Sequence, residues 1–117
     1  MTPFEKYAKI LLIELEDLGH QLSDLIDHYS VPDKKEGRTD RVCVGNQIVY
    51  RREERGITAM MEIVNGLDLA SYAEIDDMVD DLKTHFKADL KARDLPMATY
   101  MFTEGRLNAV REYIKAG

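Results

Sequence analysis

The third predicted helix carries the residues best placed for chemistry. Asp81, His85 and Asp89 follow one another at four-residue spacing, which puts two carboxylates and an imidazole on one helix face. Such a stripe can bind a divalent metal ion or, where it is partly buried, shift the pKa of the histidine. The alternative is an ordinary surface pairing of the carboxylates with the histidine. We therefore treat these three residues as candidate metal ligands.

Two pairs of carboxylates suggest a second kind of metal chemistry. Glu14 and Asp17 lie on the first predicted helix, and Glu74 and Asp77 lie at the start of the third. Helical enzymes that hydrolyse phosphorylated small molecules place such pairs on adjacent helices around Mg²⁺. A metal-dependent hydrolase is thus one alternative function, which requires the pairs to converge on one cleft. Pairs at this spacing also arise by chance in an acidic chain.

Arg51, Arg52 and Arg55 form a basic cluster in the middle of the chain. Residues 33–55 contain seven basic and five acidic side chains, whereas residues 1–32 carry a charge of −4 and residues 56–89 a charge of −6. Guanidinium groups can bind a phosphate or a partner's carboxylate in bidentate fashion. The alternative is pairing within the chain, with Glu53 and Glu54 or with the acidic helices. The three arginines are candidate partner-binding residues.

The composition limits the classes of function. The chain has 117 residues, and its 22 acidic and 16 basic side chains give a net charge of −6. That charge argues against a nucleic-acid binder that gains affinity by neutralising phosphates, although an acidic inhibitor that mimics nucleic acid stays an alternative. No motif typical of a catalytic nucleophile or a phosphate-binding loop is present, so we predict no catalytic residue and no cofactor.

Three further features of the sequence bear on where in the cell the protein is located. No apolar run approaches the roughly 20 residues of a membrane span, and the N-terminus lacks the pattern of a secretory signal. A single cysteine, Cys43, fits a reducing compartment, and its β-branched, apolar surroundings indicate a small buried residue. We therefore expect a cytoplasmic protein that does not contact membranes.

The periodicity of apolar residues predicts a mainly α, four-helix, bundle-like single domain over residues 1–117. The first helix begins at Thr2-Pro3-Phe4-Glu5, an N-cap sequence with a capping box, and residues 33–41 form an exposed loop. The third helix is predicted from Ser71, with a capping box closed by Glu74, to near Arg93. The fourth opens at Asp94 and Pro96 and runs to about Lys115. The apolar seam of the first helix comprises Phe4, Ala8, Leu11, Leu15, Leu18, Leu22, Leu25 and Tyr29.

The segment between the loop and the third helix has two interpretations. β-branched runs on either side of Gly45-Asn46 favour a short β-hairpin over residues 41–50. The competing interpretation is one long helix from about Thr39 to Asn65, in which packing in a bundle overrides local propensity.

Two helices carry more apolar surface than one small bundle readily covers. Ile10 and Ile13 lie opposite the seam of the first helix. The fourth helix has a second apolar stripe beside its main one, formed by Ala98, Phe102, Gly105, Ala109, Tyr113 and Ala116. We therefore expect a homodimer formed through the first helix, with Ile10 and Ile13 as partner-binding residues, and through the fourth. The favoured function is a regulatory or adaptor role by protein–protein interaction, with a protein partner as well.

Overall fold

Four helices make up most of the chain in the computed structural model, which describes all 117 residues. They are α1 (Pro3–His28), α2 (Asp40–Asn65), α3 (Ile75–Ala92) and α4 (Ala98–Ala116), with short 3-10 turns at Lys34–Glu36 and Leu69–Ser71. No β-strand is present, so the predicted mainly α, four-helix fold is confirmed. None of the helices combines the length and apolar character needed to traverse a bilayer.

The start of α1 follows its capping signal. The Thr2 hydroxyl accepts a hydrogen bond from the Glu5 N–H, and the Glu5 carboxylate accepts one from the Thr2 N–H, both at 3.1 Å. These two bonds satisfy backbone donors that the first turn leaves free. The seam predicted for α1 faces the other helices, because Ala8, Leu11, Leu15 and Leu18 are buried.

All four helices contribute to one core of sixteen buried residues. Tyr7 lies fully inside this core, and its hydroxyl donates a hydrogen bond of 2.9 Å to the carbonyl of Leu107, which joins α1 to α4. Gly56 allows α2 and α4 to approach closely, because a Cβ at this position would lie only 3.0 Å from Thr99 Cγ2. The core therefore fixes where α4 begins relative to α2.

The predicted β-hairpin over residues 41–50 is wrong, because this stretch is the first half of α2. The Thr39 hydroxyl caps the helix by accepting from the Val42 N–H at 3.3 Å. Cys43 is buried as expected, and Gln47 Nε2 donates to the Ile26 carbonyl at 3.5 Å. These contacts with α1 override the β-propensity of the valines and isoleucine. The competing interpretation, a helix from about Thr39 to Asn65, is confirmed.

Two other helix starts differ from the prediction. α3 begins at Ile75 rather than Ser71, because residues 69–71 form the second 3-10 turn and Glu74 serves as the N-cap without a side-chain cap bond. α4 begins at Ala98 rather than near Asp94. Asp94 adopts a left-handed backbone (φ 53°), which ends the helical run of α3 before a new one can start.

The segment of residues 33–41 contains local structure. Backbone hydrogen bonds of 2.8 and 2.9 Å pair Asp33 with Arg38 around the first 3-10 turn, and Gly37 supplies the left-handed residue (φ 75°) that closes it. α2 already begins at Asp40. The segment is thus a tight connection between two long antiparallel helices.

One end of the molecule is only two helices thick. The core cluster ends at Leu18 in α1 and Ile57 in α2, and the chain measures 55 × 30 × 18 Å. We call the part beyond it the arm, residues 22–28 of α1 and 40–50 of α2. The arm part of α2 exposes four β-branched side chains, Val42, Val44, Ile48 and Val49. β-branched residues are weak helix formers, so the helix propensity of α2 does not explain why these four side chains are exposed.

Candidate interaction surfaces

The candidate metal ligands on α3 do not act as one group. Asp81 accepts a hydrogen bond from the Tyr72 hydroxyl and lies 3.2 Å from His85 Nε2, whereas Asp89 pairs with Arg93 Nε at 2.9 Å. Burial and the hydrogen bond to Asp81 raise the pKa of Tyr72 to about 12, which keeps the phenol protonated. No group of three or more His, Cys, Asp or Glu side chains is arranged to hold a metal ion.

The carboxylate pair of α1, Glu14 and Asp17, binds a basic residue of α4, whereas Glu74 and Asp77 form no ion pair, and the two pairs form no common metal-binding group. Glu14 and Asp17 lie 3.1 and 3.6 Å from the guanidinium of Arg106. Asp76 accepts a hydrogen bond of 2.8 Å from Lys115, and this bond lowers the pKa of the Asp76 carboxyl. The ion pairs therefore hold α4 against α1 and α3.

The three arginines of the basic cluster lie on one side of α2 but have different contacts. Arg52 donates a hydrogen bond to the backbone carbonyl of Asp94 and so links α2 to the end of α3. Arg51 is exposed and forms no ion pair or side-chain hydrogen bond. Arg55 lines a shallow depression together with Glu54 and Arg93. Of the three, only Arg52 forms a hydrogen bond or ion pair, and partner binding by the cluster stays a prediction.

The second apolar stripe of α4 is exposed along its whole length. We call its six residues the outer α4 stripe, and Phe102 and Tyr113 are its large members, with exposed fractions of 57% and 60%. Small residues lie between them, and no atom lies within 4 Å of where a Cβ on Gly105 would be. The six residues are Ala98, Phe102, Gly105, Ala109, Tyr113 and Ala116, all of them exposed.

The two isoleucines predicted to bind a partner lie beside this stripe. Ile13 is 56% exposed, and the half-buried Ile10 lines a shallow groove between α1 and α4 that also contains Ala109 and Tyr113. Arg106 crosses the same groove to reach Glu14. Ile10 and the outer α4 stripe border this groove, and together with Ile13 we call them the α1–α4 face.

A second apolar surface lies where the arm meets the start of α4. It is a groove of about 250 Å³, which we call the arm groove. Its apolar walls come from α1, α2 and α4, and its polar members include Glu53 and Thr99. The lining residues are Leu18, Gln21, Leu22, Leu25, Tyr50, Glu53, Ile57, Thr99 and Phe102.

Two polar groups in the arm groove have no partner. Glu53 is half-buried and forms neither an ion pair nor a hydrogen bond, and burial raises the pKa of its carboxyl. Thr99 is 1% exposed, and its hydroxyl has no hydrogen-bond partner. Because folding raises the pKa of Glu53, protonation of this carboxyl favours the folded chain, and that contribution is lost as the pH rises through the raised pKa.

Sequence reasoning missed Glu53 and Thr99 as site residues. Glu53 was predicted only to form ion pairs with arginines of the same chain, but Glu53 forms no ion pair with them in the structure. Residues 50, 53 and 57 share one side of α2 only if the segment is helical, and a hairpin would separate them. The signal that could have found the groove was therefore hidden by the wrong secondary structure.

The chain was compared with protein-family models, with curated proteins and with solved structures, and none of the three comparisons found a match.

Proposed function

We propose that this chain acts by protein–protein interaction, in a regulatory or adaptor role, and that it does so as a homodimer joined through the α1–α4 face. The observation that carries the proposal is the uninterrupted exposure of the outer α4 stripe, including two aromatic side chains. Exposed apolar surface that is continuous over several helical turns is typical of interaction sites.

The spacing of the outer α4 stripe fits a two-fold interface. Phe102 and Tyr113 lie at equal distances on either side of a point between Leu107 and Asn108, and Gly105 and Ala109 lie at equal distances from Leu107, half a residue away. An antiparallel pair of α4 helices crossing there would put Phe102 against the partner's Tyr113, and the reverse contact would follow by symmetry. The small residues would allow the helix axes to approach to about 8 Å.

The size of the exposed surface also supports association. A compact protein of this mass exposes about 6,500 Å², whereas this chain exposes 7246 Å². Its radius of gyration is 16.5 Å, compared with about 13 Å for a compact domain of this length. A stable interface covers roughly 800 Å² of each partner.

We also propose that Ile10 and Ile13 lie at the edge of the dimer interface. Arg106 in the groove between α1 and α4 already has Glu14 and Asp17 at 3.1 and 3.6 Å, so the dimer would not bury its guanidinium unpaired. Contact of Arg51, Arg52 and Arg55 with a partner stays a prediction, as does a cytoplasmic location.

Cross-linking tests the antiparallel arrangement. In a Cys43→Ala background, Ala98→Cys and Ala116→Cys variants are prepared separately, and both positions are exposed at opposite ends of α4. In an antiparallel dimer, Ala98 would face the partner's Ala116, whereas two copies of the same position would lie about 27 Å apart. A short bis-maleimide should therefore link a mixture of the two variants, but neither variant alone.

Two results would contradict this geometry. Cross-linking of each variant with itself would indicate parallel pairing. The absence of any cross-link in the mixture would show that the start of one α4 does not lie beside the end of the partner's α4. The double variant provides an internal control, because it should give the same linked product without mixing.

A further inference from the structure

The arm groove has features that the homodimer does not use. Leu18, Leu22 and Leu25 follow one another along α1 at spacings of four and three residues. They form an apolar row about 10 Å long, which matches the spacing of the side chains by which an amphipathic helix anchors in a groove. The groove volume of about 250 Å³ is below the roughly 300–1,000 Å³ of small-molecule sites, so it suits individual side chains better than a whole ligand.

The two unpartnered polar groups indicate what the incoming helix must carry. The Glu53 carboxylate accepts hydrogen bonds, and the buried Thr99 hydroxyl has its full capacity free. A buried acceptor without a donor is costly, whereas a charge-assisted bond to an ammonium or guanidinium group is stronger than a neutral one. A lysine or arginine side chain entering the groove would satisfy the half-buried Glu53 carboxylate.

We infer that the arm groove binds an amphipathic helix of another protein, through that helix's apolar face and one of its lysine or arginine side chains. This inference rests on the proposed interaction function, for which it names the class of partner, but it does not require the homodimer. Phe102 is the only residue that the groove shares with the outer α4 stripe.

A second copy of the chain does not fit the groove as well. Two-fold pairing brings the same patch of each copy into contact with itself. Asp17 and Asp24, exposed residues next to the lining residues Leu18 and Leu25 in the sequence, have the same sign as Glu53. Arg51 and Arg55 are each two residues from Glu53 and therefore point to the opposite side of α2. Self-pairing would thus place acidic side chains together without a base.

The test uses two synthetic amphipathic helices of equal length. One has leucines at the anchor positions and lysines beside them, and in the other each lysine is replaced by glutamate. Binding to the full chain is measured by fluorescence anisotropy at physiological salt. The lysine helix should bind, and its affinity should fall as the pH drops through the raised pKa of Glu53, because protonation removes the charge that attracts it.

A neighbouring glutamate provides the matched control. Glu53→Gln should weaken binding of the lysine helix by about tenfold and remove its pH dependence. Glu54→Gln changes the net charge equally, but Glu54 lines the shallow depression with Arg55 and should leave binding unchanged. Glu53→Gln should also make the free chain more stable at neutral pH, because it removes a half-buried charge that has no partner.

Several outcomes would overturn the inference. Equal losses for Glu53→Gln and Glu54→Gln would indicate diffuse attraction to an acidic surface, and equal binding of the glutamate helix would indicate non-specific apolar contact. Conversion of the chain to a monomer by Leu25→Asp would show that a second copy fills the groove.

A Gly105→Arg monomer that still binds the lysine helix would separate this inference from the proposed dimer, so each can fail independently.

Discussion

Replacing Gly105 with arginine is expected to prevent the proposed dimer and leave a monomer of about 13.4 kDa at tens of micromolar protein. No atom lies within 4 Å of a Cβ at this position, so the isolated chain accommodates the new side chain. In an α4 pair, however, helix axes about 8–10 Å apart leave no room for an arginine at the crossing point. Sedimentation velocity of the variant beside the unchanged chain measures the effect.

Gly45→Arg is the control for this variant. Gly45 lies inside α2, also has nothing within 4 Å of a Cβ, and is far from the outer α4 stripe. Both substitutions should raise the stability of the helix that contains them, by up to about 1 kcal/mol. Only Gly105→Arg should lower the mass. A Gly105→Arg protein that still sediments as a dimer would contradict the proposed interface.

Phe86→Ala is expected to destabilise the chain by about 3–5 kcal/mol, whereas Phe102→Ala should cost less than about 1 kcal/mol. Both changes remove the same ring. Phe86 is fully buried in the four-helix core, while Phe102 is 57% exposed on α4. Urea denaturation in the Gly105→Arg background keeps association from contributing to the measured free energy of unfolding.

The comparison of the two phenylalanines tests whether Phe102 serves the fold or an interface. If Phe102→Ala costs as much as Phe86→Ala in the monomeric background, Phe102 is a core residue and the outer α4 stripe loses its main anchor. If Phe102→Ala lowers the free energy of unfolding only slightly but weakens dimerisation of the otherwise unmodified chain, the ring of Phe102 acts between chains, as we propose.

The sequence was sufficient to predict those parts of the fold where local signals and burial agree. Thr2 and Glu5 form the capping box that their spacing indicates, and the predicted seam of α1 is buried from Ala8 to Leu18. Local signals were misleading at the start of α2. There Val42, Val44, Ile48 and Val49 favour strands, but the segment is helical, with a cap from Thr39 and a contact between Gln47 and Ile26, twenty-one residues away in α1.

The two candidate surfaces also differ in whether the sequence alone could predict them. The outer α4 stripe could be predicted because its residues recur on one helix, and helical periodicity alone shows that they cannot share the buried face of Leu107 and Val110. The arm groove could not be predicted, because Leu22, Glu53 and Phe102 come from three helices and meet only in the folded chain. No spacing rule connects residues so far apart.

The homodimer is the central claim, and sedimentation equilibrium of the unmodified chain over a range of concentrations tests it most directly. The expected result is a mass of twice 13.4 kDa at tens of micromolar protein, falling toward the mass of one chain on dilution. A mass of 13.4 kDa at every concentration would contradict the claim.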